Sequence, residues 1–151
     1  LLDLDENLFE NLISLRYLYL NSNKLSILKE KIFRNLKKLD LLDLSYNFLK
    51  DFDFNLFTSL AALKTLNLKN NQLKSIKSDL FKELSLLEEI DLSENFNLKE
   101  INLEKNMIKN IFLKQNINLN VLKLNWSIIN YLIASNVSLN ALKCIKFTNM
   151  T

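Results

Sequence analysis

The chain has 151 residues, 48% hydrophobic and 25% charged, and its 20 lysines and arginines against 17 aspartates and glutamates leave a net charge of +3. That composition belongs to a soluble folded domain able to bury a core, and the charge is too even for a nucleic-acid or anionic-membrane surface. No apolar run approaches the roughly 18 residues that span a bilayer, and the opening "LLDLDENLFENL" does not read as a signal segment.

In chain order, the first element is "LRYLYLNSNKL", with Leu15, Leu18, Leu20, Asn23 and Leu25 at the stagger L-x-x-L-x-L-x-x-N-x-L. The same stagger returns 24 residues on at Leu39, Leu42, Leu44, Asn47 and Leu49, and again at Leu63, Leu66, Leu68, Asn71 and Leu73. A fourth copy has Leu87, Ile90, Leu92 and Asn95, with Asn97 in place of the last leucine. Phe9, Phe33, Phe57 and Phe81 keep the same period between the copies, each followed three residues later by Leu12, Leu36, Leu60 or Leu84. A leucine spacing of three and then two does not sustain a helical period of 3.6, which excludes a set of amphipathic helices. Within each copy, alternation as in "LRYLYL" predicts a short half-buried strand, with Leu18 and Leu20 inward and Tyr17 and Tyr19 outward. One coil cannot bury its leucines alone, so the coils must stack into a parallel sheet over a continuous leucine core. The asparagine at each corner is then buried and needs partners, which backbone groups of adjacent coils supply as a ladder. Glycine and proline are both absent, so any corner that needs a left-handed residue is expected to use asparagine.

These repeats resemble the leucine-rich repeat family. The 24-residue form with its phenylalanine is similar to the class common in animal ectodomains, Toll-like receptors and secreted insect immune proteins among them. The resemblance implies an α/β repeat solenoid, a horseshoe with a parallel β-sheet on its concave face and a mostly irregular convex side, in which the phenylalanines stack as a second spine.

After Asn95 the rhythm breaks. "LKEINLEKNMI" fits the template at Leu98, Ile101, Leu103, Asn106 and Ile108, only 11 residues after the previous copy, whereas a coil needs roughly 20. Either one of the two copies lies outside the sheet, or residues 87–118 form a single irregular coil. The Ile101 copy is the one expected in the sheet, because later copies phase from it: Leu119, Leu122 and Leu124, then Leu139, Leu142 and Cys144. The organisation expected is one solenoid over 1–151, regular over 1–97 and shorter and irregular over 98–151. Leu1 aligns with Leu25 and neither end carries a recognisable polar cap, so the expectation is a piece of a longer protein.

No catalytic site is expected. The chain has no histidine, its single cysteine is Cys144, and it has no glycine for a phosphate-cradling loop. Cys144 falls at an inward position and reads as a small buried hydrophobe. The cluster Glu88, Glu89, Asp91 and Glu94 implies no cleft and lacks calcium-loop spacing, so it reads as a solvated acidic patch or as the dock for a basic partner. No metal or cofactor is expected.

What remains is a surface. The outward columns in this phase run Tyr17, Leu41, Thr65, Glu89, Glu100, Val121, Ala141; then Tyr19, Asp43, Asn67, Asp91, Asn102, Lys123, Lys143; then Asn21, Ser45, Lys69, Ser93, Glu104, Asn125, Ile145. They predict a face that is aromatic at first, acidic near the fourth copy and basic at the end. The candidate ligand-binding residues are Tyr17, Tyr19, Asp43, Asn67, Lys69, Glu89, Asp91 and Lys123, with Trp126 a further aromatic anchor. Asn125, Asn136 and Asn149 stand in N-x-S/T triplets as glycosylation candidates, Asn125 at the edge of the concave sheet and Asn136 on an exposed convex turn. The expected function is a non-enzymatic module, the extracellular part of a secreted or membrane-anchored protein, binding a protein or microbial ligand in immunity or adhesion. The alternative is an intracellular scaffold for protein partners.

Overall fold

The structure is a computed structural model that describes residues 1–137. Nine short strands follow one another among the described residues: β1 Tyr17–Tyr19, β2 Leu41–Asp43, β3 Thr65–Asn67, β4 Ser75–Ile76, β5 Glu89–Asp91, β6 Glu100–Leu103, β7 Asn110–Phe112, β8 Val121–Leu124 and β9 Tyr131–Ile133. They form a six-stranded parallel sheet in the order β1-β2-β3-β5-β7-β9 and a three-stranded parallel sheet in the order β4-β6-β8. Each coil therefore lays one strand beside the last, as the leucine stagger requires.

The central residue of each strand points inward. Leu18, Leu42, Leu66, Ile90 and Ile111 of the first sheet are buried, as are Ile76, Ile101, Leu103, Leu122 and Leu124 of the second. All belong to one hydrophobic core, against which Leu132 and Ala134 are partly buried. Burying a leucine or isoleucine side chain contributes roughly 1.5–3 kcal/mol. A coil taken alone would leave most of its leucines wet.

Between strands, the first coils close with single turns rather than helices. Leu12, Leu36, Leu60 and Leu84 donate their N–H groups to the carbonyls of Phe9, Phe33, Phe57 and Phe81, at 3.1, 3.0, 3.0 and 3.1 Å. All four phenylalanines are buried. Phe9 and Phe33 stack nearly parallel at 6.4 Å, and Phe57 and Phe81 meet at 5.5 Å. The column ends at Phe81, whose carbonyl also accepts Asn106 Nδ2 from the following coil at 3.2 Å. Beyond it β6 and β8 replace the turns, half a coil away from the first sheet.

That replacement corrects the expected phase. The Ile101 copy is a strand, but of the second sheet: β6 pairs with β4 and β8, with Ile101 opposite Ile76 and Leu122. The first sheet runs on from Ile90 to Ile111 to Leu132. The coil has shortened from the 24-residue step between Leu42 and Leu66 to a 21-residue step. It is flattened between two strands and so presents two inward-facing stretches per turn, each of which writes the same leucine stagger. The later copy around Leu142 and Cys144 lies outside the described residues.

The corners show which copies are which. Ser22, Tyr46, Asn70, Glu94, Gln115 and Asn136 all have φ between 51° and 60°. They stand one residue before Asn23, Asn47, Asn71, Asn95, Asn116 and Val137, so the left-handed residue recurs once per coil of the first sheet and is missing before Asn106. Only Asn70 and Asn136 are asparagines, against the expectation that this residue type would fill all such corners. The penalty for other residues, about 1–2 kcal/mol each, is tolerated because the next residue is held by the ladder.

Each ladder asparagine satisfies backbone groups of the coil before it, and Asn47, Asn71 and Asn95 those of their own coil as well. Asn95 Nδ2 donates to the Leu68 carbonyl of the coil before and to Leu92 of its own, both at 3.0 Å, while Oδ1 accepts Leu73 N–H at 3.2 Å. Asn47 and Asn71 repeat the arrangement with Leu20, Leu44 and Leu25, and with Leu44, Leu68 and Leu49. Asn116 continues it, donating to Leu92 O at 3.1 Å and accepting Asn95 N–H at 2.9 Å. Asn106, though 6% exposed, donates only to Phe81, and its Oδ1 has no partner. Asn95→Ala should therefore cost about 3 kcal/mol, because it orphans buried N–H and C=O groups, and Asn106→Ala about 1 kcal/mol or less. Urea unfolding midpoints of the two variants check this; equal losses would contradict the distinction.

Candidate functional site

The outward residues of β1, β2, β3, β5, β7 and β9 form the one extended sheet face among the described residues. Register sets two columns: Tyr17, Leu41, Thr65, Glu89, Asn110, Tyr131, and Tyr19, Asp43, Asn67, Asp91, Phe112, Ile133. The sheet brings together seven of the eight candidate residues: Tyr17, Tyr19, Asp43, Asn67 and Glu89 and Asp91 on the face, and Lys69 at its exit edge. Lys123 is not among them. It is exposed on β8, opposite Asn102 of the second sheet, for the phase reason given above. Glu100, Asn102 and Val121 move with it, and Trp126, expected beside the concave sheet, instead follows β8 and packs partly buried against the core. Ala141, Lys143 and Ile145 lie outside the described residues. The described face thus ends in Phe112, Tyr131 and Ile133 rather than in basic residues; Phe112 and Tyr131 meet edge to face at 6.2 Å. These aromatics were legible at "IKNIFLKQN", where Ile108, Ile111, Leu113 and Asn116 keep the template with isoleucines in the leucine places. Ile108 already served the neighbouring copy, which hid this one.

The second column is rigid for a local reason. Asp43, Asn67 and Asp91 each accept, at Oδ1, the N–H two residues on: Ser45 at 2.9 Å, Lys69 at 3.0 Å and Ser93 at 2.8 Å. Ser45 Oγ adds a 2.6 Å hydrogen bond to Asp43. Such turns end the strands and fix the side chains. Tyr17 and Tyr19, by contrast, are 57% and 61% exposed.

Both edges of the face carry paired charges. At the entry edge Arg16 and Lys64 flank Asp40 at 2.8 and 3.9 Å, and Lys109 holds Glu88 at 2.7 Å. The Lys109 hydrogen bond keeps the Glu88 carboxyl below the usual carboxylate range. At the exit edge Glu94 accepts Asn70 Nδ2 at 2.9 Å and pairs with Lys69 at 3.0 Å, and the two lower its pKa in that order. Lys69 also lies 5.5 Å from the Tyr46 ring centroid; Tyr46, then Glu94, raise its pKa above the ordinary lysine value. Within the acidic cluster, Glu88 and Glu94 are ion-paired at the edges, and Glu89 and Asp91 stand on the face, as the strand alternation implies.

A shallow depression of about 200 Å³ lies at the centre, lined by Tyr19, Asp43, Asn67, Glu89, Asp91 and Phe112 with Leu41, Thr65 and Leu66. No group of three or more metal-ligating acidic or cysteine side chains occurs among the described residues. Nor is any helix there long and apolar enough to cross a membrane. The sequon sites also move with the phase. Asn125 sits at the end of the second sheet, half-buried, and accepts Ser127 Oγ at 2.7 Å. Asn136 is exposed at a left-handed corner leaving β9; Asn149 lies outside the described residues.

The family pattern described as leucine rich repeat matches residues 1–49 and 42–96. No curated protein matches the chain. Among solved structures, the chain is similar to the leucine-rich repeat domain of APL1B at 21% identity and a TM-score of 0.58, covering 89% of this chain and 43% of that one. It is similar to a chain of the Toll–Spatzle complex, described as a molecular hub in Drosophila development and innate immunity, at 24% identity and a TM-score of 0.70, covering 87% and 21%. The LRIM1/APL1C complex gives 24% identity and a TM-score of 0.56, covering 86% and 26%. The chain therefore spans less than half the length of each of these proteins, and the likeness is one of fold.

The Glu94 pairing predicts a pH effect. A carboxyl whose pKa is lowered by folding adds stability above the unfolded value of about 4.3 and loses it as pH falls through the folded value. Wild type should exceed Glu94→Gln by up to about 1 kcal/mol near neutral pH, and the gap should close as pH falls below the ordinary carboxylate range and through the lowered folded value. A gap constant across urea titrations from neutral to acid would contradict the pairing.

Proposed function

The chain belongs to the leucine-rich repeat family, and we propose that it is a non-enzymatic recognition module that seats a protein or microbial ligand on its six-stranded sheet. The observation that carries this reading is the sheet face itself. Its inward half is sealed in the core, while Tyr17 and Tyr19 stand exposed on the outward half with no core to fill. Large, stiff, amphipathic side chains on a rigid surface are what binding hot spots use. An extended sheet face is also how stacked repeats present a surface to partners. The aromatic end at Phe112 and Tyr131 offers a second anchor, so that the face has one at each end.

We place the module outside the cell, in immunity or adhesion. The proteins it resembles in fold include a Toll–Spatzle complex described in terms of innate immunity, and Asn136 is an exposed sequon asparagine.

A photo-reactive amino acid at Leu41, compared with one at Lys82 on a connecting turn, tests the face in natively expressed protein. Cross-linking of a partner at Leu41 alone, reduced at least tenfold by Tyr17→Ala with Tyr19→Ala, is expected. Partner capture at Lys82 that ignores the tyrosines would contradict the assignment. Location has its own check: glycopeptide mapping should find sugar on Asn136, and bare asparagine at every sequon would speak for the intracellular scaffold instead.

A further inference from the structure

The two columns of the sheet face carry three ionisable carboxylates, Asp43, Glu89 and Asp91, and no cation, on a chain whose net charge is +3. Lysines and arginines do border the face, yet most already have partners: Arg16 and Lys64 with Asp40, Lys109 with Glu88, and Lys69 with Glu94. Among the described residues no ion pair reaches Asp43, Glu89 or Asp91. The carboxylates of the face therefore have no ion-pair partner among the described residues, while Asp40, Glu88 and Glu94 at its edges do; Lys114, exposed beside Ser93 at the exit edge, forms no ion pair with the three.

The arrangement is also preformed. Asp43 and Asp91 each have Oδ1 tied to a backbone N–H, which fixes the carboxylate plane and leaves Oδ2 for an incoming donor. Strands lie about 4.8 Å apart, so these two carboxylates are roughly 10 Å apart across β3. Glu89 stands two residues from Asp91 on the same strand, roughly 7 Å away. Tyr19 borders Asp43 on one side and Phe112 borders Asp91 on the other, all around the central depression. Acceptor-only groups set between aromatic rings suit a cation carried on an apolar stem, since the stem packs on the rings and the charge meets both ring faces and carboxylates.

Resting on the recognition reading above, we propose that the partner presents a basic segment to this sheet, with arginine or lysine side chains seated between Tyr19 and Phe112 and paired with Asp43, Glu89 and Asp91. A polyanion or an anionic lipid surface would be repelled by the same three groups. Charge complementarity of this kind sets specificity and association rate, and weakens with salt.

The test titrates the full chain, labelled for amide NMR, with a blocked peptide alternating arginine and leucine and with its counterpart carrying citrulline, a neutral isostere, in place of arginine. Expected are shifts confined to β1, β2, β3, β5 and β7, and binding at least tenfold tighter for the arginine peptide. That preference should be lost in the variant Asp43→Asn, Glu89→Gln, Asp91→Asn. The variant should fold, because Asn67 already makes the same turn hydrogen bond in this column, and its unfolding midpoint verifies that it does. Equal binding of both peptides, or shifts on the connecting turns, would overturn the proposal. If neither peptide binds while a natural partner still cross-links at Leu41, the basic-segment proposal fails and the recognition reading stands. If nothing cross-links at Leu41 and neither peptide binds, both fail.

Discussion

At the ends of β2, β3, β5 and β7 the chain turns a corner inside a dry core, where no water can meet the backbone groups that the turn leaves over. The buried asparagine meets them instead. Its amide donates to carbonyls of its own coil and the coil before, and its oxygen accepts an N–H from a neighbouring coil. An unsatisfied buried group costs about 1–3 kcal/mol, so this exchange decides where corners can stand. Once the corners are fixed, strand register, the side on which leucines point and the columns that face outward all follow. A slip of one residue would turn every leucine to solvent.

The ladder also explains what else the corners tolerate. Left-handed backbone at Tyr46, Glu94 and Gln115 is unfavourable in isolation. It persists because the side chain of the following asparagine is held by four hydrogen bonds at Asn47 and Asn95 and by two at Asn116, to parts of the fold that are themselves buried. With the corner thus determined, the corner residue's side chain is available for other contacts, as with Tyr46 over Lys69 and Glu94 on Asn70 and Lys69. The outward columns are similarly unconstrained by the core. That separation lets one face collect aromatics and carboxylates while the opposite side of the same strands stays leucine.

Much of this was legible in the sequence. The leucine stagger, the asparagine and the phenylalanine column carry the solenoid, the parallel sheet and the inward and outward sides of β1, β2 and β3; at the next copies the sequence favours Ile101 for the sheet, where Ile90 is the residue found. The failure came where the coil shortened. An inward-facing strand writes L-x-x-L-x-L whichever sheet it joins, so the copies at Ile90 and Ile101 look alike although one belongs to each sheet. Asn106 completes the template and is buried, yet the partners that define a ladder residue lie a full coil away and cannot be seen locally. The true next copy at Ile111 was masked by its isoleucines and by its overlap with the false one. Lys123 falls in the outward pattern of the sequence for this reason alone, and Phe112, Tyr131 and Ile133 stay hidden in it for the same one. Which outward residues are committed to local turns, as Asp43 and Asp91 are, and which charges find partners at the edges, are facts of side-chain geometry that no spacing encodes.

The placement of every residue on the face beyond β5 depends on the phase that the ladder sets there. The most direct measurement pairs cysteines at outward positions in a Cys144→Ser background and bridges them with a short bifunctional thiol reagent. Glu89→Cys with Asn110→Cys should be sealed rapidly, because those residues are register partners on adjacent strands, while Glu89→Cys with Glu100→Cys should not, because those strands belong to different sheets. Bridging of residues 89 and 100 in preference to 89 and 110 would show that the corner asparagines do not set the register, and would contradict the account at its base.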